Sequence, residues 1–205
     1  SPVYGGTDHF INDFLNKIGV HTISFTPNDS KEDILKRLKN SGLANKLSMI
    51  FIETPANPTN ALIDIEMCKS IADLYSTMDT KVHLAVDNTY MGPLWQHPLE
   101  HGADSVLYSA TKYIGGHSDV IAGACCGSNE VISRIKVLRT FLGNMAAPHT
   151  GWLLMRSLET LKIRMEQQAR NAQEVAAYLD GHKKVEKVYY LCLLYTSDAA
   201  DDSLR

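Results

Sequence analysis

The chain has 205 residues, 20 Lys+Arg against 23 Asp+Glu for a net charge of −3, and 44% hydrophobic residues. That is enough apolar side chain for one full core, and 21% charged residues without a low-complexity segment exclude general disorder. The charge balance argues against a nucleic-acid partner, which needs a basic excess, and no apolar run approaches the ~18 residues of a membrane span.

Residues Ser1 to Gly6 have neither the charged nor the apolar region of a signal peptide. Cys68, Cys125, Cys126 and Cys192 form no CxxC pair, so buried thiols in a reducing cytoplasm are expected, with no metal site. His21–Phe25 reads as a short strand. Ser30 opens a helix, with Asp33 three residues on as a variant capping box and Ile34, Leu35 and Leu38 on one face. Leu47–Glu53 is a near-continuous apolar strand ended by Thr54-Pro55. A second helix is expected from Asp64 to about Tyr75, with Ile65, Cys68, Ile71 and Ala72 facing inward.

Val82–Asp87, Ser105–Ser109 and Ile121–Cys126 are further strands. Strands apolar on both faces and separated by helices predict an α/β domain, with a mostly parallel sheet and helices on both faces. Residues 129–142 are helical. From Pro148 to Leu179 one long helix is expected, with Trp152, Met155, Leu158, Leu161 and Met165 in helical spacing and Asp180-Gly181 as its stop. Val185–Tyr190 reads as the first strand of a second, smaller domain.

In a parallel α/β sheet the chemistry gathers past the carboxyl ends of the strands. Glu53 to Asn57, Asp87 to Tyr90 and Ser109 to Lys112 stand there. Ser109 and Thr111, two apart in an extended segment, can aim both hydroxyls one way and hold a phosphate. Lys112, before the turn Gly115-Gly116, suits a Schiff-base nucleophile whose partial burial frees the amine. Asp87 ends an apolar strand, so its carboxylate needs a donor partner. Singly, each group reads more simply as a surface lysine, a helix cap or a local loop bond; the combination carries the signal.

The segment from Tyr108 to Asp119, Tyr-Ser-Ala-Thr-Lys-Tyr-Ile-Gly-Gly-His-Ser-Asp, resembles the pyridoxal-phosphate signature of the Cys/Met-metabolism family of cystathionine γ-synthases and lyases, methionine γ-lyases and O-acyl-homoserine sulfhydrylases. Val86–Tyr90 and Glu53–Pro58 resemble its other motifs, in order. Val3–Thr7 is similar to its Tyr-Gly-Cys-Thr segment, with Gly6 in place of the Cys of methionine γ-lyases. The resemblance runs from about Val3 to Tyr190 and implies the large domain of a type I PLP-dependent transferase, aspartate aminotransferase-like.

It implies pyridoxal 5'-phosphate as cofactor and a sulfur amino acid or activated homoserine as substrate, changed by γ-elimination or γ-replacement. By the same resemblance Lys112 bonds the cofactor aldehyde and later moves protons between the α, β and γ carbons. Asp87 pairs with the pyridine nitrogen, Asn57 with the ring's phenolic oxygen, and Ser109 and Thr111 with the phosphate. Tyr4 stacks on the ring and assists proton transfer at the incoming amine. A cytoplasmic homotetramer, a dimer of dimers, is implied.

His117 is expected to be a structural loop residue, Glu53 to anchor its own loop, Tyr90 and Tyr113 to pack near the pocket, and Cys125-Cys126 to be small strand hydrophobes. Arg139 either neighbours the site or is a solvated helix-end charge. The expected division is a PLP-binding large domain over 1–147, a long helix over 148–181, the start of the small domain over 182–190, and a tail over 191–205 that resembles nothing in the family. Set beside that family the chain is expected to be an incomplete piece, inactive by itself.

Overall fold

The computed structural model describes residues 2–191. After Tyr4 the chain turns into α1 (Gly5–His9), a π-helical turn over Phe10–Phe14 and a 3-10 turn over Leu15–Ile18, closed by Gly19 at φ +88°. No element is assigned to this stretch from sequence; Gly5-Gly6 weaken the helical signal. The signal present was the i, i+4 run Phe10, Phe14, Ile18; the first two rings stack 5.3 Å apart.

His21–Phe25 is not a strand. Its alternation is meaningful, because Ile23 and Phe25 pack against the core, but it has no ladder with a neighbour among the described residues. An alternating pattern fixes which side chains point inward, whereas a strand also needs a partner edge.

α2 (Lys31–Asn40) starts as expected. The Ser30 hydroxyl accepts from the Asp33 amide at 3.2 Å, and Asp33 accepts from the Ser30 amide at 3.1 Å, a reciprocal capping box. β1 (Met49–Glu53) follows, then α3 (Ile65–Tyr75), capped by Asp64 accepting from the Met67 amide at 2.9 Å. β2 (His83–Asp87) leads into a short helix, α4 (Gly92–Trp95), and a 3-10 turn over Pro98–His101. β3 (Ser105–Ser109) and β4 (Gly123–Gly127) complete the sheet.

The sheet order is β1-β2-β3-β4, with β1, β2 and β3 parallel and β4 antiparallel to β3. The reversal has a local cause: a parallel return needs a crossover of a dozen or more residues, usually helical, and residues 110–122 are turns and coil. One sheet face is the core, where Ile50, Ile52, Leu84 and Val86 meet Ile34, Leu38, Cys68 and Ile71 of α2 and α3. Burial pushes the Cys68 thiol pKa up to about 12, so it is an inert core group. Cys125 and Cys126 sit on β4, but Cys125 is only half-buried and Cys126 is exposed, so the expected burial holds for Cys68 and not for Cys126, whose side chain leaves the covered face of the strand.

α5 (Asn129–Leu142) is capped by the Ser128 hydroxyl. The long helix is broken into α6 (Pro148–Leu158) and α7 (Leu161–Leu179). The break at Glu159-Thr160 comes from competition for one carbonyl. Ser157 O accepts from the Thr160 amide at 3.3 Å, the Thr160 hydroxyl at 3.4 Å and Arg164 Nη2 at 2.8 Å. Side-chain donors of this kind replace the helical i+4 amide, and apolar periodicity does not register them. The Asp180-Gly181 stop is present, with Gly181 at φ +76°. Val185–Tyr190 does not form the expected strand. Of the expected tail, residues 192–205 lie outside the described residues.

Ile52 is fully buried between β2 and α3. Ile52→Ala should lower stability by about 3 kcal/mol through lost transfer energy and a cavity. Urea unfolding checks this: the midpoint falls while the slope is unchanged.

Candidate active site at the carboxyl ends of the strands

The register Glu53↔Asp87↔Leu107 across β1, β2 and β3 puts the ends of three parallel strands side by side. Side chains alternate along a strand. Glu53, Asp87 and, two residues beyond Leu107, Ser109 therefore share the sheet face opposite the Ile52–Val86 core. This is the geometric content of the expected strand-end cluster.

Asp87 is half-buried. Its Oδ1 accepts from the Thr89 amide at 3.0 Å and the Thr89 hydroxyl at 2.6 Å. That hydroxyl also accepts from the Ser109 amide at 2.7 Å. Thr89 thus joins the end of β2 to the end of β3 and is the donor partner Asp87 requires. Sequence reasoning placed Thr89 in the cluster but gave it no role; the signal was the Asp-x-Thr spacing, which favours a local side-chain turn. Asp87 Oδ2 has no hydrogen-bond partner among the described residues and is not sealed from solvent.

Glu53 is 4% exposed and acts as a double acceptor. Its Oε2 takes the Tyr4 amide at 2.6 Å and its Oε1 the Asn57 amide at 2.9 Å. It anchors its loop as expected, and it also fixes the segment carrying Tyr4. Burial pushes its carboxyl above the usual value, the two amides oppose this, and neighbouring Asp87 adds to the rise. The Tyr4 ring is 56% exposed. A Cβ at Gly6 would lie 2.8 Å from its Cε1, so glycine there leaves room for the ring.

Asn88, between Asp87 and Thr89, is fully buried on the other side. Its Nδ2 reaches Gly92 O at 3.0 Å, Gln96 O at 2.8 Å and Tyr108 Oη at 3.2 Å. Gln96 Nε2 returns to Asn88 Oδ1 at 2.9 Å and to Thr54 O at 2.8 Å. This network fastens the loop after β2 to the loop after β1 and to β3, which holds Asp87 rigid.

Two expectations about the lysine segment change. β3 ends at Ser109, and residues 110–115 are turns rather than extended chain, so Ser109 and Thr111 do not share a strand face. The Thr111 hydroxyl donates to Ala122 O at 3.2 Å and accepts from the Ala122 amide at 3.0 Å, fastening the turn to the approach to β4. Lys112 is exposed rather than partly buried. Its turn is closed by the Lys112 amide on Ser109 O at 3.0 Å, the Gly115 amide on Ala110 O and the Gly116 amide on Lys112 O, both at 2.7 Å. Gly116 lies at φ +72°, where a side chain is strained.

His117 Nδ1 bonds Gly115 O at 2.8 Å, the loop role expected of it. Burial and then Tyr90 raise the Tyr113 phenol. Arg139 is exposed in the last turn of α5, a solvated helix-end charge. Asn57 is exposed past β1, with its side chain unspent on any described residue.

An open carboxylate oxygen on Asp87 and the unspent Ser109 hydroxyl stand at adjacent strand ends, the Lys112 amine follows in the next turn, and Tyr4 is tied to the end of β1 through Glu53. Groups of this chemistry are able to bind an electrophilic, phosphate-bearing pyridine. The family model described as Cys/Met metabolism PLP-dependent enzyme matches residues 1–200, and the chain belongs to that family.

The chain is 38% identical over 189 residues to the cystathionine gamma-lyase of Bacillus subtilis (strain 168), covering 92% of this chain and 47% of that protein. It is 37% identical to cystathionine gamma-synthase 1, chloroplastic, of Arabidopsis thaliana over 91% of this chain and 31% of that protein. It is similar in structure to the cystathionine gamma-lyase of Lactobacillus plantarum complexed with L-serine, with TM-score 0.81 and 33% identity over 92% of this chain and 47% of that one. The chain thus spans about half the length or less of these relatives.

The sign of the Glu53 shift fixes a pH dependence. A carboxyl whose folded pKa lies above its unfolded value, ordinarily 4.5, contributes stability below that value and loses it as pH rises through the folded pKa. Unfolding free energy should therefore carry a downward component with rising pH above 4.5. Glu53→Gln should remove that component while freeing one of the two amides. Denaturation at a series of pH values checks it; an unchanged slope in the variant would assign the component elsewhere.

Proposed function

We propose that the protein carrying this chain is a pyridoxal 5'-phosphate enzyme acting on sulfur amino acids or activated homoserine by γ-elimination or γ-replacement. The observation that supports this best is the placement of Asp87 and the Lys112 turn past adjacent parallel strands, with Thr89 locking Asp87 to Ser109. Bound pyridoxal phosphate supplies an electron sink for a carbon that has lost a proton.

The chain's own groups do the rest. Lys112 would hold the cofactor through its amine and would carry protons among the α, β and γ carbons of the substrate. Asp87 uses Oδ2 to keep a proton on the ring nitrogen, with Oδ1 pinned by Thr89. Ser109 binds the phosphate, and Thr111 does so by giving up its donation to Ala122. Asn57 meets the phenolic oxygen. Tyr4, its backbone held by Glu53, covers the ring and assists proton movement at the incoming amine.

Residues 1–147 serve as the cofactor-binding large domain, and 148–181 lead toward a small domain that begins at 182–190. The protein works as a cytoplasmic homotetramer. Exposed Val137, Leu138, Phe141, Leu142 and Met145 on and just beyond α5 support assembly, since contiguous apolar surface favours association.

Borohydride reduction of the native protein with pyridoxal 5'-phosphate, followed by peptide mapping, should label Lys112, and Lys112→Ala should lose both label and turnover. Label on Lys81 or Lys136 would overturn the assignment. Asp87→Asn keeps the shape and removes the charge. It should slow proton removal from the substrate α carbon by ~100-fold, as loss of one electrostatic stabiliser does, with a smaller effect on cofactor affinity. Products from cystathionine, methionine, and O-acetylhomoserine with sulfide separate elimination from replacement.

A further inference from the structure

α7 touches the lysine turn through Arg164. Arg164 Nη1 donates to Tyr113 O at 2.8 Å, the carbonyl next after Lys112. Its Nη2 donates to Ser157 O at 2.8 Å and its Nε to the Thr160 hydroxyl at 3.1 Å. One planar guanidinium thus joins the α6–α7 break to a turn 51 residues away in sequence.

The turn is shaped to receive it. Its internal bonds use Ser109 O, Ala110 O and Lys112 O, and leave Tyr113 O for the guanidinium. A Cβ at Gly116 would stand 1.9 Å from Arg164 Nη1, so a side chain there would displace the guanidinium, and the φ of +72° favours glycine in any case. The adjacent residue on α7 grips the other strand end. Met165 is 2% exposed, and a Cβ at Gly92, in the loop after Asp87, would lie 2.7 Å from its Cε. Two consecutive α7 side chains therefore seat the two loops that present Lys112 and Asp87.

We propose that Arg164 is the positioning residue of the cofactor lysine: it fixes the Lys112 turn relative to Asp87 by bonding Tyr113 O and filling the space over Gly116. The role rests on the reading of Lys112 given above. It explains why the helix breaks where it does, since the break supplies Ser157 O and Thr160 Oγ1 to orient the guanidinium. An amine that must reach one aldehyde carbon loses rate steeply when displaced by about 1 Å.

The test compares Arg164→Ala, Arg164→Gln and Arg164→Lys with the unsubstituted native protein. Amide hydrogen exchange at Gly115 and Gly116 reports the turn without cofactor. Arg164→Ala should speed it about tenfold, the equivalent of one hydrogen bond, with exchange in β1 and β2 unchanged. The pH profile of Lys112 trapping by pyridoxal 5'-phosphate and borohydride should shift in the same variant, and Arg164→Lys, which can reach one carbonyl, should restore part of both effects.

Unchanged exchange at Gly115 and Gly116, or an unchanged trapping profile, would overturn the positioning role. Should Arg164→Ala fail to fold, the same two readouts on Arg164→Gln decide. Trapping at another lysine in the unsubstituted protein would instead overturn the Lys112 reading, and the positioning role with it.

Discussion

One hydroxyl couples the two strand ends on which the site depends. Thr89 Oγ1 donates to Asp87 and accepts from the Ser109 amide, so neither can move without breaking a bond of 2.6–2.7 Å. A carboxylate at the end of an apolar strand is costly unless its lone pairs are met. Thr89 meets those of Oδ1 and leaves Oδ2 for an incoming donor. The fully buried Asn88 behind it turns the loop into a rigid support, with Gln96 carrying the network across to Thr54. Buried polar networks rigidify a site when every member is satisfied, and among the described residues no buried side-chain polar atom lacks a partner.

The carboxylates divide their work by environment. Glu53 and Asp87 end adjacent strands in register. Burial raises the Glu53 carboxyl above its usual value, and the neighbouring Asp87 adds a smaller rise. Glu53 offsets that penalty with two backbone amides and is spent on architecture. Asp87, half-exposed and held at one oxygen, keeps the other free. A carboxylate therefore anchors its loop at one strand end and keeps an open oxygen at the next.

The helices show a matching division. α2 and α3 bury their apolar faces on the sheet core. α5 buries no residue in this chain, while α7 meets the sheet side of the molecule through Arg164 and Met165. The first pair builds the sheet core, and α7 bonds Tyr113 O and packs against Gly92, one residue in each of two loops. The exposed side chains of α5 are available to a further surface.

The sequence by itself determined the local elements with strong periodic or capping signals. The Ser30–Asp33 box, the Asp64 cap, the apolar strands ending at Glu53, Asp87 and Ser109, and the stop at Asp180-Gly181 all depend on residues within four positions of one another. It also determined the membership of the strand-end cluster, because the carboxyl ends of parallel strands converge by geometry.

Tertiary structure alone decided the features that rest on long-range bonds. His21–Phe25 lacks a neighbouring edge, so its alternation yields packing without a ladder. The guanidinium of Arg164 spans Ser157 O at the α6–α7 break and Tyr113 O far away in sequence. The Thr111 hydroxyl goes to Ala122 because the turn brings them together. The roles of Glu53 and Thr89 depend on partners 49 and 20 residues away. A chain's periodicity records which face of an element is apolar; which distant carbonyl or amide a polar side chain will meet is set only when the elements are packed.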